Sequence, residues 1–226
     1  MEKQAEKIKC QLAWAHDFTL FGAFKSFDQD EKGYIEPSEF LHGVVHATGK
    51  EVNRVLKDQC SLVFSRYDRD GDQRLNYTEF CQLFVPASNP NLQDQLIARR
   101  PKEYGAGMVL SDDTQAIFAR LLRGHLDLEQ SHEYLRTKLN QRMQEQAWTM
   151  EDLFAAADQD QKGYVSVLDL QKILGQRSTS NKPKNYAVKD LEYLLRMYDG
   201  QGSRRVSFED FAEQLTVRAA RVCPLC

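Results

Sequence analysis

Four stretches of the sequence place acidic and other oxygen-bearing side chains at alternating positions, a spacing suited to holding a divalent cation. They begin at Asp28, Asp68, Asp158 and Asp199, and the second of them is DRDGDQRLNYTEF. Calcium takes six to eight oxygen ligands. In a twelve-residue loop these come from positions 1, 3, 5, 7, 9 and 12, with a backbone carbonyl at position 7 and a bidentate Glu at position 12. These stretches therefore indicate metal binding.

The second loop meets this demand most fully, because every side-chain ligand position carries a suitable oxygen. Gln73 stands at the sixth position, where glycine is usual because the turn needs a positive φ. A non-glycine residue there costs roughly 1 kcal/mol, which weakens the predicted calcium site without abolishing it. The candidate ligands are Asp68, Asp70, Asp72, the backbone carbonyl of Arg74, Asn76 and Glu79.

The first loop offers a partial ligand set, because Lys32 takes the fifth position. Lysine has no acceptor atom, and its ammonium repels a cation unless the side chain swings into water. Weak calcium binding and no binding both remain open for this loop. The candidate ligands are Asp28, Asp30, the Tyr34 carbonyl, Glu36 and Glu39, with Gly33 at the turn.

The third and fourth loops depart further from the calcium pattern. The third repeats the lysine, at Lys162, and has Asp169 in place of Glu at position 12. The shorter arm favours one-oxygen contact, so we expect no tight calcium here and a tilt toward magnesium. The candidate ligands of this loop are Asp158, Asp160, the Tyr164 carbonyl and Asp169. In the fourth loop, Asp199 and Asp210 are the only carboxylates at ligand positions, which favours a structural role.

The elements around the loops are predicted to be helices arranged in two pairs. The loop starts lie 40 residues apart in the first pair and 41 in the second. Apolar residues recur every three to four positions before and after each loop, as amphipathic helices require. A helix, a twelve-residue acidic loop and a second helix form the EF-hand unit. The eighth loop residues are apolar throughout, which predicts a short β contact of Ile35 with Leu75 and of Val165 with Val206.

On these loops and their pairing, the chain resembles a four-EF-hand protein of the calmodulin superfamily, over about residues 15–85 and 148–216. The resemblance implies an all-α fold. It places one EF-hand pair in residues 15–85, an irregular segment and a long helix in residues 86–147, and a second pair in residues 148–218. It also implies a non-enzymatic calcium sensor or adaptor that binds a protein partner. Candidate groove or core residues are Phe24, Phe27, Phe40, Phe64, Phe80 and Phe84.

The segment between the lobes is the main departure from a calmodulin-like plan, in which the connector is short. Residues 84–111 are rich in Pro, Gly and Asn and are predicted to be irregular. Residues 112–148 are predicted to form one long helix, with Asp112 as its cap and Gly124 as its weak point. This helix fills the groove of one lobe, spaces the lobes along a partner, or completes the core of the C-terminal lobe. Its apolar stripe requires burial in each case.

Composition argues against several other classes of protein. The 30 basic and 33 acidic residues nearly balance, and no basic stripe with interleaved aromatics indicates nucleic-acid binding. No apolar run approaches the roughly 18 residues of a membrane span. The N-terminal residues are charged and lack the apolar core of a signal peptide, so none is expected. The final CPLC places Cys223 as in a prenylation box, but no polybasic stretch accompanies it, so a membrane partner is not expected. No enzyme signature occurs.

Two interpretations of function follow. In the first, calcium opens the N-terminal lobe, which then binds a helical peptide of a partner protein. In the second, the degenerate hands form a largely calcium-independent scaffold in a cytoskeletal assembly. For this, the decayed loops and long inter-lobe helix resemble the calcium-binding proteins of protist cilia and flagella. A regulatory subunit similar to calcineurin B is a third option. A cytoplasmic location is expected, at the cytoskeleton or cilium under the second interpretation.

Overall fold

The computed structural model of the chain describes residues 2–100, 110–175 and 205–216. It separates into an N-terminal unit, Glu2–Gln130, and a C-terminal unit that begins at Ser131. The described part is mostly helical, with one short two-stranded sheet, which confirms the all-α prediction. Within the described residues, no helix combines the length and the apolar character that crossing a membrane requires.

The N-terminal unit contains two helix–loop–helix hands flanked by additional helices. Its elements are α1 (Glu2–Trp14), α2 (Leu20–Phe27), β1 (Tyr34–Ile35), α3 (Pro37–Thr48), α4 (Arg54–Tyr67), β2 (Leu75–Asn76), α5 (Tyr77–Cys81), α6 (Pro90–Ala98) and the first part of α7 (Asp112–Gln146).

Local sequence signals explain where the helices of the two hands begin. Thr19 Oγ1 accepts a hydrogen bond from the Gly22 N–H, and Asn53 Oδ1 accepts one from the Leu56 N–H, so α2 and α4 each have a side-chain N-cap. Pro37 occupies the first turn of α3, where its missing N–H costs little. The helices therefore enter and leave the loops at positions that the sequence specifies.

The loops of each pair meet through their eighth residues, as predicted. Ile35 pairs with Leu75 in the antiparallel contact of β1 with β2, and both side chains are fully buried. In the C-terminal unit, Val165 and Val206 exchange backbone hydrogen bonds of 2.9 and 3.1 Å. Each loop is thus held against its partner by backbone bonds and a shared apolar contact.

A continuous series of aromatic rings forms the core of the N-terminal unit. Phe27 lies 5.7 Å from Phe40 and 5.0 Å from Phe80, measured between ring centroids, and Phe80 lies 5.1 Å from Phe84. α3 approaches this cluster closely at Gly43, where even a single added methyl carbon would overlap the Phe27 ring. The phenylalanines predicted as groove or core residues are all core residues here, none more than 5% exposed.

Two helices of the N-terminal unit were not predicted. α1 precedes the stretch in which the sequence predicts EF-hand helices, and it buries Ala5, Ile8 and Leu12. α6 lies inside residues 84–111, which the sequence predicts to be irregular. Asn89 caps α6, and Pro90 follows at its first position. The predicted irregular connector is therefore wrong for residues 90–98.

α7 runs from Asp112 to Gln146 without a break at Gly124. Its cap is Ser111 rather than the predicted Asp112, because the Ser111 hydroxyl accepts a hydrogen bond from the Thr114 N–H. The first part of α7 packs on the N-terminal hands, through Phe118 and Leu122 among others. Near its other end, Leu139 belongs to the core of the C-terminal unit. Different parts of α7 thus contribute buried residues to each of the two units.

The C-terminal unit continues with α8 (Met150–Ala157), α9 (Val167–Gly175) and α10 (Phe208–Thr216). Leu153, Ile173 and Phe211 are among its buried core residues. The first part of the fourth loop, Asp199 included, and Cys223 of the prenylation-like ending lie outside the described residues.

Candidate metal centre

The second loop is shaped by backbone donors that converge on its first residue. Asp68 follows α4 directly, and its carboxylate accepts hydrogen bonds from the N–H groups of Gly71 at 2.8 Å and Gln73 at 3.2 Å. Gln73 adopts a φ of 64°, in the left-handed region predicted for this position. The turn therefore forms although the usual glycine is missing.

Three carboxylates of the second loop converge on one point. Oxygen atoms of Asp68, Asp70 and Glu79 all lie within 4.8 Å of one another. Calcium–oxygen bonds of 2.3–2.6 Å separate ligands on opposite sides of the ion by roughly 5 Å, so the three oxygens fit within one coordination sphere. Glu79 is held by the N–H groups of Arg69 at 2.9 Å and Asn76 at 3.0 Å. Position 12 is thus fixed by the loop itself.

The remaining predicted ligands of this loop make local contacts. Asp72 is outside the three-carboxylate group, and its Oδ1 accepts the Arg74 N–H at 2.7 Å. Asn76 Oδ1 accepts the Glu79 N–H at 3.0 Å and so caps α5. The Arg74 guanidinium lies 4.3 Å from the centre of the Tyr34 ring, on the neighbouring loop. The structure therefore brings together positions 1, 3 and 12 and leaves positions 5 and 9 in contact with the backbone.

The converging carboxylates of the second loop have no ion-pair partner among the described residues. Burial raises the pKa of Asp68 in spite of its two backbone hydrogen bonds, and the neighbouring Asp72 and Glu79 charges raise it further. Among the residues that the structure describes, no lysine or arginine forms an ion pair with Asp68, Asp70 or Glu79. A divalent cation is the ligand that this arrangement would stabilise.

The first loop differs because Lys32 turns inward. Its Nζ lies 3.0 Å from Glu39 Oε2 and 3.3 Å from Glu36 Oε2. The hydrogen bond to Glu39, and then that to Glu36, raise the pKa of Lys32. Asp28 accepts the N–H groups of Lys32 and Gly33, both at 2.8 Å, so the loop keeps the same shape as the second. The lysine side chain contacts the carboxylates at positions 9 and 12 instead of swinging into water.

The third loop repeats this arrangement with Lys162. Its Nζ lies 2.8 Å from Asp169, 3.6 Å from Asp160 and 3.9 Å from Asp158. Burial raises the pKa of Asp169, but the hydrogen bonds from Lys162 and Ser166 outweigh it, and the pKa is lowered overall. In both loops, an ammonium group stands among the carboxylates that a metal would use.

A family model described as an EF-hand domain pair matches residues 17–85 and 148–216, more than half of the chain. The chain belongs to the EF-hand family. Together with its calmodulin-like relatives, this makes it a calcium-binding EF-hand protein of the calmodulin-like type.

Relatives of this EF-hand chain include short and long proteins. Troponin C, isoform 1, of Balanus nubilus is 21% identical over 194 residues, which cover 86% of this chain and 85% of the relative. Calmodulin-like protein 2 of Arabidopsis thaliana is 39% identical over 61 residues, 27% of the chain and 39% of the relative. A calcium-binding mitochondrial carrier protein of Dictyostelium discoideum is 32% identical over 122 residues, 53% of the chain and 14% of the relative. The chain thus spans a small part of the length of the last two.

Sequence reasoning missed the role of the two lysines in these EF-hand loops. Lys32 and Lys162 were interpreted as missing ligands, whereas their ammonium groups lie against the acidic positions. The signal was available, because both stand at the fifth loop position with a carboxylate at the twelfth. The apolar stripe of α7 gave no reason to single out His125. It is buried and contacts Tyr67, at the end of α4, and Leu83, just after α5.

Proposed function

We propose that the protein binds calcium through residues 68–79 of its N-terminal lobe and acts as a calcium-responsive adaptor for a protein partner. The observation that carries the metal site is the convergence of Asp68, Asp70 and Glu79, with no ion pair to them from any described lysine or arginine. Asp72, the Arg74 carbonyl and Asn76 complete the oxygen set in this proposal, with Asn76 at position 9 serving through water. The adaptor role is supported by family membership and by the lack of an enzyme signature in the sequence.

The other loops contribute less to calcium binding in this proposal. A cation entering the first loop would have to displace Lys32 from Glu36 and Glu39. Magnesium, which the sequence predicts for the third loop, would have to displace Lys162 from Asp169. One dominant calcium site, in the second loop, is the expected stoichiometry.

A second candidate function has its own supporting observation. In EF-hand sensors, calcium opens the helix pair and exposes an apolar groove for a partner helix. In this chain Phe24 and Phe84 are 5% and 0% exposed, and Phe118 of α7 stacks on Phe84 at 5.3 Å. A lobe covered by its own helix suits a structural component of a cytoskeletal assembly, such as a ciliary or axonemal one, in which calcium only stabilises the fold.

Calcium titration by calorimetry tests the site. The wild-type chain should bind one dominant calcium with a dissociation constant in the range of roughly 10⁻⁷–10⁻⁵ M typical of sensor loops. Glu79→Gln should remove that site, because it loses a bidentate carboxylate. Glu39→Gln makes the same change at position 12 of the first loop and should leave the site in place. Unchanged stoichiometry in Glu79→Gln would show that the assignment is wrong.

An apolar fluorescent dye then separates the two functions. Increased dye binding on addition of calcium supports a sensor that opens, because apolar surface becomes exposed. Calcium binding with no change in dye fluorescence supports the structural component.

A further inference from the structure

His125 of α7 lies between the two helices that flank the second loop. Its Nε2 is 2.9 Å from the Leu83 carbonyl oxygen, and its Nδ1 is 3.4 Å from the Tyr67 hydroxyl. Tyr67 is the last residue of α4 and directly precedes Asp68, whereas Leu83 follows α5, which contains Glu79. One buried imidazole therefore contacts both the incoming and the outgoing side of this hand.

Further polar contacts hold α7 to the two hands. Glu129 Oε1 lies 3.6 Å from Arg66 Nε, and Gln130 accepts a hydrogen bond of 2.6 Å from Gln59, so α4 is contacted at two more residues. Arg123 donates to the carbonyl of Thr48, at the end of α3. These contacts act on both hands of the pair.

α7 also covers the apolar surface of the hands. Phe118 stacks on Phe84, with ring planes 16° apart, and Phe84 in turn contacts Phe80 at 5.1 Å. Leu121 and Leu126 are at most 1% exposed. This is the kind of surface that an opened EF-hand pair offers to the apolar face of a partner helix.

The three carboxylates converge while α7 is docked. The oxygens of Asp68, Asp70 and Glu79 already lie within one calcium coordination sphere while His125 contacts Tyr67 and Leu83 on either side of the loop. Calcium therefore has no need to displace α7 in order to bind.

We infer that residues 112–130 of α7 are the built-in target helix of the N-terminal EF-hand pair, and that their docking and calcium binding at residues 68–79 strengthen each other. The inference rests on the proposed calcium site and adds how that site is regulated. Because linkage is reciprocal, a docked α7 tightens calcium binding by the same factor by which calcium tightens α7 docking. Calcium then holds α7 on this lobe, so no increase in dye binding is expected, which agrees with the structural component rather than with a sensor that opens.

Calcium affinity in the full chain provides the first test. His125→Phe keeps a ring of similar volume but removes both contacts with the flanking helices, and we expect roughly tenfold weaker calcium binding, within the usual range of coupling. Arg123 is exposed, and Arg123→Ala removes its hydrogen bond to the Thr48 carbonyl. This variant should weaken calcium binding about threefold without changing the packing of the core. Gln115→Ala, exposed on the same helix, is the control and should leave the affinity unchanged. Tighter or unchanged binding in both test variants would overturn the coupling.

Hydrogen exchange measures the reciprocal effect. Calcium should slow amide exchange in residues 116–130 of α7 in the wild-type chain, and Glu79→Gln should abolish that slowing. Faster exchange on addition of calcium would mean that α7 is released, and an unchanged rate would mean that α7 and calcium are independent. Either result overturns the inference.

The same variants separate this inference from the proposed site. If Glu79→Gln abolishes calcium binding but α7 exchange never responds to calcium, the site stands and the coupling fails. If Glu79→Gln retains full calcium binding, the site assignment itself fails, whatever the exchange of α7 shows.

Discussion

Replacing Gly43 by alanine should destabilise the N-terminal unit, because the added methyl group has no room. A Cβ at Gly43 would lie 2.3 Å from Phe27 Cδ1 and 2.4 Å from Cε1. Ordinary contact begins at 3.4 Å, so the ring would have to retreat by about 1.1 Å, the difference between 3.4 and 2.3 Å. Phe27 is only 2% exposed and packs on Phe40 and Phe80, so the strain passes to the rest of the aromatic core.

The magnitude follows from two opposing effects. Overpacking of a dense core typically lowers the free energy of unfolding by about 1–3 kcal/mol. Replacing a helical glycine by alanine raises it by about 0.5–1 kcal/mol. A net loss of about 1–2 kcal/mol lowers the melting temperature of a unit of this size by roughly 4–8 °C. Phe80 packs on Phe27 and is the residue after the candidate ligand Glu79. Displacement of the Phe27 ring should therefore also lower the calcium affinity of residues 68–79.

Thermal unfolding followed by circular dichroism measures this effect, and Gly124→Ala is the matched control. A Cβ at Gly124 of α7 meets nothing within 4 Å, so this variant gains helix propensity without a clash and should melt slightly above the wild type. If Gly43→Ala melts as high as Gly124→Ala, the close contact of α3 with Phe27 is not a constraint on the fold.

Two further predictions concern loop charge and the buried histidine. Lys32→Asp should add a second calcium site, because it removes the ammonium from Glu36 and Glu39 and supplies a ligand at position 5. Glu39 Oε1, buried and without a hydrogen bond from any described residue, then has a partner. Arg54→Asp makes the same charge change on an exposed helix start, and an added site there as well would mean that net charge alone is responsible. Burial lowers the pKa of His125 to about 3, and the positive charges of Lys9 and Arg66 act in the same direction. The hydrogen bond to the Leu83 carbonyl raises the pKa but does not offset them. In the unfolded chain the histidine pKa is near 6.5. The contribution of neutral His125 to the free energy of unfolding is therefore complete above about pH 6.5. It is lost as the pH falls toward 3, by up to about 1.4 kcal/mol per pH unit, because the unfolded state then binds a proton that the folded state does not. Denaturant unfolding at pH 7 and pH 5 should show a loss about 2 kcal/mol larger in the wild type than in His125→Phe, and equal losses would contradict a neutral buried imidazole.

The paired hands could be predicted because their signals are local and repeated. Position 8 is apolar in every loop and must be buried against a partner, so the contacts of Ile35 with Leu75 and of Val165 with Val206 follow from sequence alone. The positive φ of Gln73 follows from the turn that the ligand spacing demands. Such features depend on residues within one twelve-residue stretch and its copy.

The direction of Lys32 and the position of α7 could not be predicted in the same way. A lysine side chain has enough freedom to reach water or its own loop, and the choice depends on where the Glu36 and Glu39 carboxylates lie after folding. The covering of the N-terminal hands by α7 depends on contacts between residues far apart in the sequence, such as Phe84 with Phe118 and Leu83 with His125. No periodicity within either segment specifies such a contact.

The missed helices had weak but usable signals. α6 begins with Asn89 followed by Pro90, an N-cap and first-turn pair that the Pro and Asn content of residues 84–111 obscured. Arg99, just after α6, donates to the carbonyls of Ala13, Ala15 and Phe18. This ties α6 to the end of α1, through a contact that no local pattern indicates.

The inward lysines also change what removal of metal would do to this protein. An ion bound from solution leaves when a chelator lowers its free concentration, but an ammonium on the chain's own side chain is present at a fixed, high local concentration. Lys32 and Lys162 should therefore keep the first and third loops folded in chelator. In each strand contact, Ile35–Leu75 and Val165–Val206, the first-named residue then stays in an ordered loop. A chelated sample should accordingly look far less disordered than one whose loops all depend on dissolved calcium.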